Sequence, residues 1–107
     1  MLMTIDIGNT NISLGVYDGE KLGPCWRVST DHQRMPDEYG LQIDGLLKHE
    51  NLTAADITGV SLASVVPRLT GVFLQACKGY LDLDPLVVDA GVKTGVRILY
   101  ETPRSVG

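Results

Sequence analysis

The chain opens on two runs rich in apolar and β-favouring residues, LMTIDIG from Leu2 and NISLGVYD from Asn11, with a glycine and small polar residues between them. Runs of this kind bounded by turn residues predict a hairpin. DGEKL at Asp18 to Leu22 supplies a second hairpin signal ahead of GPCWRVST, so three antiparallel strands in a row are expected. The pattern then changes. Pro36 stands at a first helical position, Asp37 and Glu38 suit the positive end of a helix dipole, and Tyr39, Ile43, Leu46 and Leu47 recur at helical spacing. Residues 36 to 49 are predicted to form an amphipathic helix.

Thr53 and Asp56 have the spacing of a capping signal, in a segment long enough only for a turn. ITGVSLASVV from Ile57 is rich in β-branched residues and free of charge, as a strand covered on both faces requires. Pro67 ends it and opens a second helix, where Leu69, Val72, Phe73, Ala76, Cys77 and Tyr80 make one apolar stripe facing a core. PLVVD from Pro85 reads as a further short strand, and GVKTGVRILY as a glycine-punctuated loop leading into a strand-like run. The order βββαβαβ predicts an α/β fold: a mixed sheet with strands 1 to 3 antiparallel and later strands joined through helices packed against it.

At 107 residues the chain falls in the range of one domain, and no linker or composition shift divides residues 1–107. A net charge of -4 gives little attraction for a polyanion, so nucleic acid is not expected as a partner. No apolar run approaches a bilayer span and no secretory signal opens the chain, which points to the cytoplasm and away from membranes. Cys25 and Cys77 lack metal-ligand spacing and are expected as buried free thiols. His32 and His49 lie in polar sequence and are expected on the solvated surface.

The stretch DIGNTN, Asp6 to Asn11, admits two readings. In one it is a hairpin turn that holds nothing, Gly8 and Asn9 being present because they tolerate left-handed backbone. In the other it is a nucleotide-phosphate site: turn N–H groups aim at phosphate oxygens, Asn9, Thr10 and Asn11 add side-chain donors, and Asp6 holds Mg²⁺ through water. No GxxxxGK[ST] or GxGxxG occurs, so a nucleotide would have to be held by the hairpin. That is the device of the actin-like and sugar-kinase-like ATPases, whose first strands this arrangement resembles.

The resemblance narrows along the chain. DIGNTN, WRVSTD with DEYG soon after, SVVPRLT, PLVV followed by GVKTG, and YETPRSVG occur in the order found in type III pantothenate kinases. The resemblance implies a ribonuclease-H-like, actin-like domain, the N-terminal one of two. It also implies ATP-dependent phosphorylation of pantothenate in the first step of coenzyme A synthesis, with Mg²⁺, a monovalent cation such as potassium or ammonium, and a homodimer. By that resemblance Asp6, Gly8, Asn9, Thr10 and Asn11 fall on the ATP-phosphate motif, Tyr100 on a pantothenate-contacting tyrosine, and Gly107 on the start of a substrate-binding Gly-Ala-Asp-Arg segment. Without it, Tyr100 would read as sheet-edge packing. Lys93 reads as solvated, Trp26 as packing in the sheet, and Asp37 with Glu38 as dipole-compensating.

Family members are longer than this chain. The implied general base, the Asp of Gly-Ala-Asp-Arg, falls two positions beyond Gly107, so the catalytic residue and the second domain are expected outside these residues, and residues 1–107 alone are expected to be inactive. Thr102 stands where the family commonly has Asn. A second reading is a non-enzymatic regulatory protein of the same family, an accessory factor for transcription.

Overall fold

The computed structural model describes residues 1–89 of the chain. Strands β1 (Leu2–Ile7), β2 (Asn11–Asp18) and β3 (Lys21–Ser29) are followed by helix α1 (Pro36–His49), a 3-10 turn (Ala54–Asp56), strand β4 (Gly59–Ser64), helix α2 (Pro67–Leu81) and strand β5 (Leu86–Asp89). They build one five-stranded sheet in the order β3-β2-β1-β4-β5. β1, β2 and β3 pair antiparallel, and β1, β4 and β5 pair parallel. The predicted mixed α/β sheet is the observed one. GVKTGVRILY, Lys93, Tyr100, Thr102 and Gly107 lie outside the described residues.

Side-chain alternation divides the sheet into two faces. Met3, Ile5 and Ile7 of β1, Ile12, Leu14 and Val16 of β2, and Val60 and Leu62 of β4 are buried on the face that packs the helices. α1 contributes Tyr39, Ile43 and Leu47 to this core, and α2 contributes Leu69, Val72, Phe73, Ala76, Cys77 and Leu81. Burying an aliphatic or aromatic side chain of this kind contributes about 1.5–3 kcal/mol, so the apolar stripes decide how the helices sit. Trp26 and Val28 of β3 pack at the margin of the same core, which fits the packing role expected for Trp26. The opposite face carries Thr4 and Asp6 of β1, Ser13 of β2 and Ser61 of β4.

β4 departs from its expectation in part. Val60, Ser61 and Leu62 are buried in succession, yet both described helices lie on one face. Ser61 is the only buried polar side chain among the described residues. Cys25 is a correction: it is exposed on β3, whereas Cys77 is buried as expected.

The helix ends follow from local chemistry. Glu38 Oε1 accepts the Met35 N–H at 2.8 Å, satisfying a donor at the start of α1 that lies outside the helical ladder. The Thr53 N–H donates to Asp56 Oδ2 at 2.8 Å, which fixes the short 3-10 turn anticipated from their spacing. Asn51 after α1 and Asp82 after α2 take left-handed backbone, φ 62° and 57°, and both are residue types that tolerate it.

Candidate functional site

β1, β3, β4 and β5 all run in one direction, so Ile7, Ser29, Ser64 and Asp89 end at one edge of the sheet. Ligands of open α/β sheets bind outside this edge, where the strands finish and loops begin. The turn from Gly8 to Asn11, the segment Thr30 to His32, and the entry to α2 at Val65 to Arg68 meet there. The Val65 N–H donates to the Ile7 carbonyl at 3.0 Å, tying the end of β4 to the end of β1.

The turn itself closes through the Gly8 N–H, which donates to the Asn11 carbonyl at 2.9 Å. None of its residues has positive φ; in this region of the chain only Gly19, in the second hairpin, does. The expectation that Gly8 and Asn9 serve a left-handed turn is therefore corrected. Gly8 instead keeps this approach clear, because a Cβ there would stand 3.1 Å from the Asn11 carbonyl oxygen, a crowded contact.

All the turn's carbonyls are occupied. Thr30 Oγ1 donates to the Gly8 carbonyl at 2.8 Å, His32 Nε2 to the Asn9 carbonyl at 3.1 Å, and the Thr30 N–H to the Thr10 carbonyl at 2.9 Å. The Nε2 nitrogen of His32 must carry its proton, since a carbonyl can only accept. By contrast, the N–H groups of Asn9 and Thr10 and the side chains of Asn9, Thr10 and Asn11 have no hydrogen-bond partner among the described residues. The turn thus offers donors outward and keeps its acceptors bound behind it, which is the polarity an anion requires.

Asp6 is exposed on the face away from the helices, flanked by Ser13 on β2 and Ala63 on β4. Its carboxylate has no hydrogen-bond or ion-pair partner among the described residues. No group of three or more His, Cys, Asp or Glu side chains that could hold a metal occurs among those residues. A carboxylate without a partner among the described residues, beside a turn whose donors face outward, nevertheless fits Mg²⁺, which keeps several waters and takes further oxygens from phosphate.

Sequence reasoning found the turn and missed what supports it. His32, expected only as solvated surface, is exposed but bonded to Asn9, and its own carbonyl accepts from Arg68 Nε at 2.8 Å. Asp31 is held by Tyr39, whose hydroxyl donates to the Asp31 carbonyl and accepts the Asp31 N–H, both at 2.9 Å. Tyr39 is 1% exposed and its ring lies 4.5 Å, centroid to centroid, from that of Phe73. A packed path therefore runs from α2 through α1 to the turn. WRVSTD and DEYG supply Thr30, Asp31 and Tyr39 to it, and SVVPRLT supplies Arg68.

Comparisons with known proteins bear on the family and the fold. The family model of the type III pantothenate kinases matches residues 2–107. A type III pantothenate kinase of Geobacter sulfurreducens is 52% identical over the whole chain, and one of Bacillus cytotoxicus is 46% identical. The chain spans 42% and 41% of those two proteins, about two fifths of the length of the curated relatives it matches. Among solved structures, a putative N-acetylglucosamine kinase of Porphyromonas gingivalis superposes with a TM-score of 0.61 at 18% identity. That match covers 83% of this chain and 34% of the other and bears on fold alone. With the family model matched from Leu2 to the last residue, the chain belongs to the type III pantothenate kinase family.

Proposed function

We propose that residues 1–107 form the phosphate-binding domain of an ATP-dependent pantothenate kinase, the enzyme of the first step of coenzyme A synthesis. The observation that carries this reading is the polarity of the 8–11 turn: three successive carbonyls drawn back, with the N–H groups of Asn9 and Thr10 without a partner among the described residues. Family membership supports the choice of substrates.

In this reading the Asn9 and Thr10 amides and the Thr10 hydroxyl hold phosphate oxygens of ATP, with Asn9 and Asn11 side chains beside them. Gly8 lets the phosphates approach the backbone closely. Asp6 would hold Mg²⁺ through water, and the ion would supply neutralisation of charge on the phosphates. Transfer joins a pantothenate hydroxyl oxygen to the γ-phosphorus as the bond to the bridging β–γ oxygen breaks, ADP leaves, and the hydroxyl proton passes to a base. Tyr100 and Gly107 are proposed on the pantothenate side, and the base is proposed to be an Asp following Gly107 in the intact enzyme. The monovalent cation, potassium or ammonium, the homodimer and a cytoplasmic setting belong to the same proposal.

The test is direct. The intact enzyme, given ATP, Mg²⁺, potassium and pantothenate, should form 4'-phosphopantothenate and ADP in equal amounts, as read by mass spectrometry. ADP without phosphopantothenate, or neither product, would overturn the substrate assignment.

A further inference from the structure

Two residues given no role of their own in that reading, Thr30 and His32, make the hydrogen bonds to the Gly8, Asn9 and Thr10 carbonyls behind the turn. A trans peptide is planar, so the carbonyl of one residue and the N–H of the next point in opposite directions. No described peptide bond is cis. Fixing a carbonyl on one side of the turn therefore fixes the following N–H on the other. Thr30 Oγ1 holds the Gly8 carbonyl and thereby aims the Asn9 N–H; His32 Nε2 holds the Asn9 carbonyl and aims the Thr10 N–H; the Thr30 N–H holds the Thr10 carbonyl and aims that of Asn11.

We propose that Thr30 is a positioning residue for ATP, with His32 as its second contact: together they lock three successive peptide planes so that the turn presents amide donors to phosphate. The inference rests on the phosphate-site reading given above. Without the lock, the peptide between Gly8 and Asn9 is free to rotate and turn an oxygen toward the anion, replacing attraction by repulsion. The lock is itself braced. The Asp31 backbone is clasped by the buried Tyr39 hydroxyl, and the His32 carbonyl is held by Arg68 Nε. Of the hydrogen bonds that fix the three planes, the hydroxyl of Thr30 supplies a part-buried one, so water substitutes for it poorly.

Substitution of the hydroxyl by a methyl group of the same size isolates the effect. In the intact enzyme, Thr30→Val should weaken MgATP binding about tenfold by titration calorimetry, the scale of one lost hydrogen bond to an aligned group. Pantothenate affinity should not change. Thr30→Ser, which keeps the hydroxyl, should return ATP affinity to within about twofold of wild type. At the second contact His32→Ala should weaken ATP binding and His32→Gln, which keeps a side-chain N–H, should restore part of the loss. In ¹⁵N spectra of the wild type, MgATP should shift the Asn9 and Thr10 amides, and Thr30→Val should shrink the Asn9 response most. Wild-type ATP affinity in Thr30→Val, failure of Thr30→Ser to rescue, or an equal loss of pantothenate affinity would overturn the lock while leaving the phosphate site standing. Wild-type amides of Asn9 and Thr10 that ignore MgATP would overturn the phosphate site, and the lock with it.

Discussion

The ring of Tyr80 occupies the space in front of Gly40 where a Cβ would stand, and its hydroxyl reaches Asp37 Oδ1 at 3.1 Å. A glycine inside α1 thus permits α2 to approach, and the two helices meet over a bare stretch of backbone.

Gly40→Ala should therefore destabilise the protein even though alanine is the better helix former. The methyl group overlaps the base of the Tyr80 ring, and overpacking of this kind costs about 1–3 kcal/mol against a propensity gain of about 1 kcal/mol or less. Gly45 of α1 and Gly71 of α2 provide the controls, because a Cβ at either meets open space. Gly45→Ala and Gly71→Ala should each stabilise by about 0.4–1 kcal/mol. Urea denaturation of the three variants checks the opposite signs; equal stabilisation by all three would show that Tyr80 yields freely.

Burial pushes the Cys77 thiol from its ordinary 9.0 up to about 12. Its sign for stability follows from proton counts. Above pH 9 the unfolded chain releases this proton and the folded chain keeps it, so the unfolded state gains and stability falls until about pH 12. Below pH 9 the effect vanishes. Tyrosine phenols and lysine amines titrate in the same window, so the measurement is the difference between wild type and Cys77→Ala. The variant should be less stable at neutral pH through its cavity, and the gap should narrow as pH rises. Exposed Cys25 should react with a thiol reagent in the native protein while Cys77 stays protected.

Much of this architecture is legible in the chain, because strands, helices and hairpins follow from local periodicity. α1 begins at Pro36 and ends at His49 as the apolar spacing and the proline predict. The support of the turn is not legible in the same way, since it depends on register. Counting pairs outward from Asp18 and Lys21 would set Thr10 opposite Ser29. Instead the pairing shifts by one between Gly15 and Tyr17, so Asn11 stands opposite Ser29 and Thr30 comes beside Thr10. A bulge of one residue reverses which side chains share a face. Its signal was present in Gly23-Pro24, residues that in a strand interior mark a bulge. Gly40 shows the other limit: its partner lies forty positions further along the chain, and nothing local to α1 announces it.

Tyr39→Phe tests how far the core controls the site. Removing the hydroxyl leaves the Asp31 N–H and carbonyl without their buried partner and should cost about 1 kcal/mol of stability. The ring contact with Phe73 survives, so the fold should persist. The effect should extend to the edge of the sheet as faster amide hydrogen exchange at Asp31 and Thr30. Unchanged exchange at both would mean that β3 and Arg68 hold the segment without Tyr39.

Asp6 carries the last prediction, because its carboxylate has no protein partner to lose among the described residues. Asp6→Asn keeps the size of the side chain, and exposure lets water satisfy the amide, so stability should change by less than about 0.5 kcal/mol. Binding should respond differently. If Asp6 acts on phosphate through Mg²⁺, the substitution removes the anionic ligand that favours the hydrated cation beside the turn, a loss of about 1.5–3 kcal/mol or roughly ten- to hundredfold. ATP affinity in the intact enzyme should fall by that factor in magnesium, while affinity measured in chelator should fall little or rise, since a negative charge near the phosphates has gone. Gly8→Val separates the two parts of the site. Its side chain crowds the Asn11 carbonyl, already 3.1 Å from where a Cβ would stand, and blocks phosphate approach, so affinity should drop with and without metal. Asp6→Asn that weakens binding equally in magnesium and in chelator would place the carboxylate in direct support of the turn and remove it from the metal.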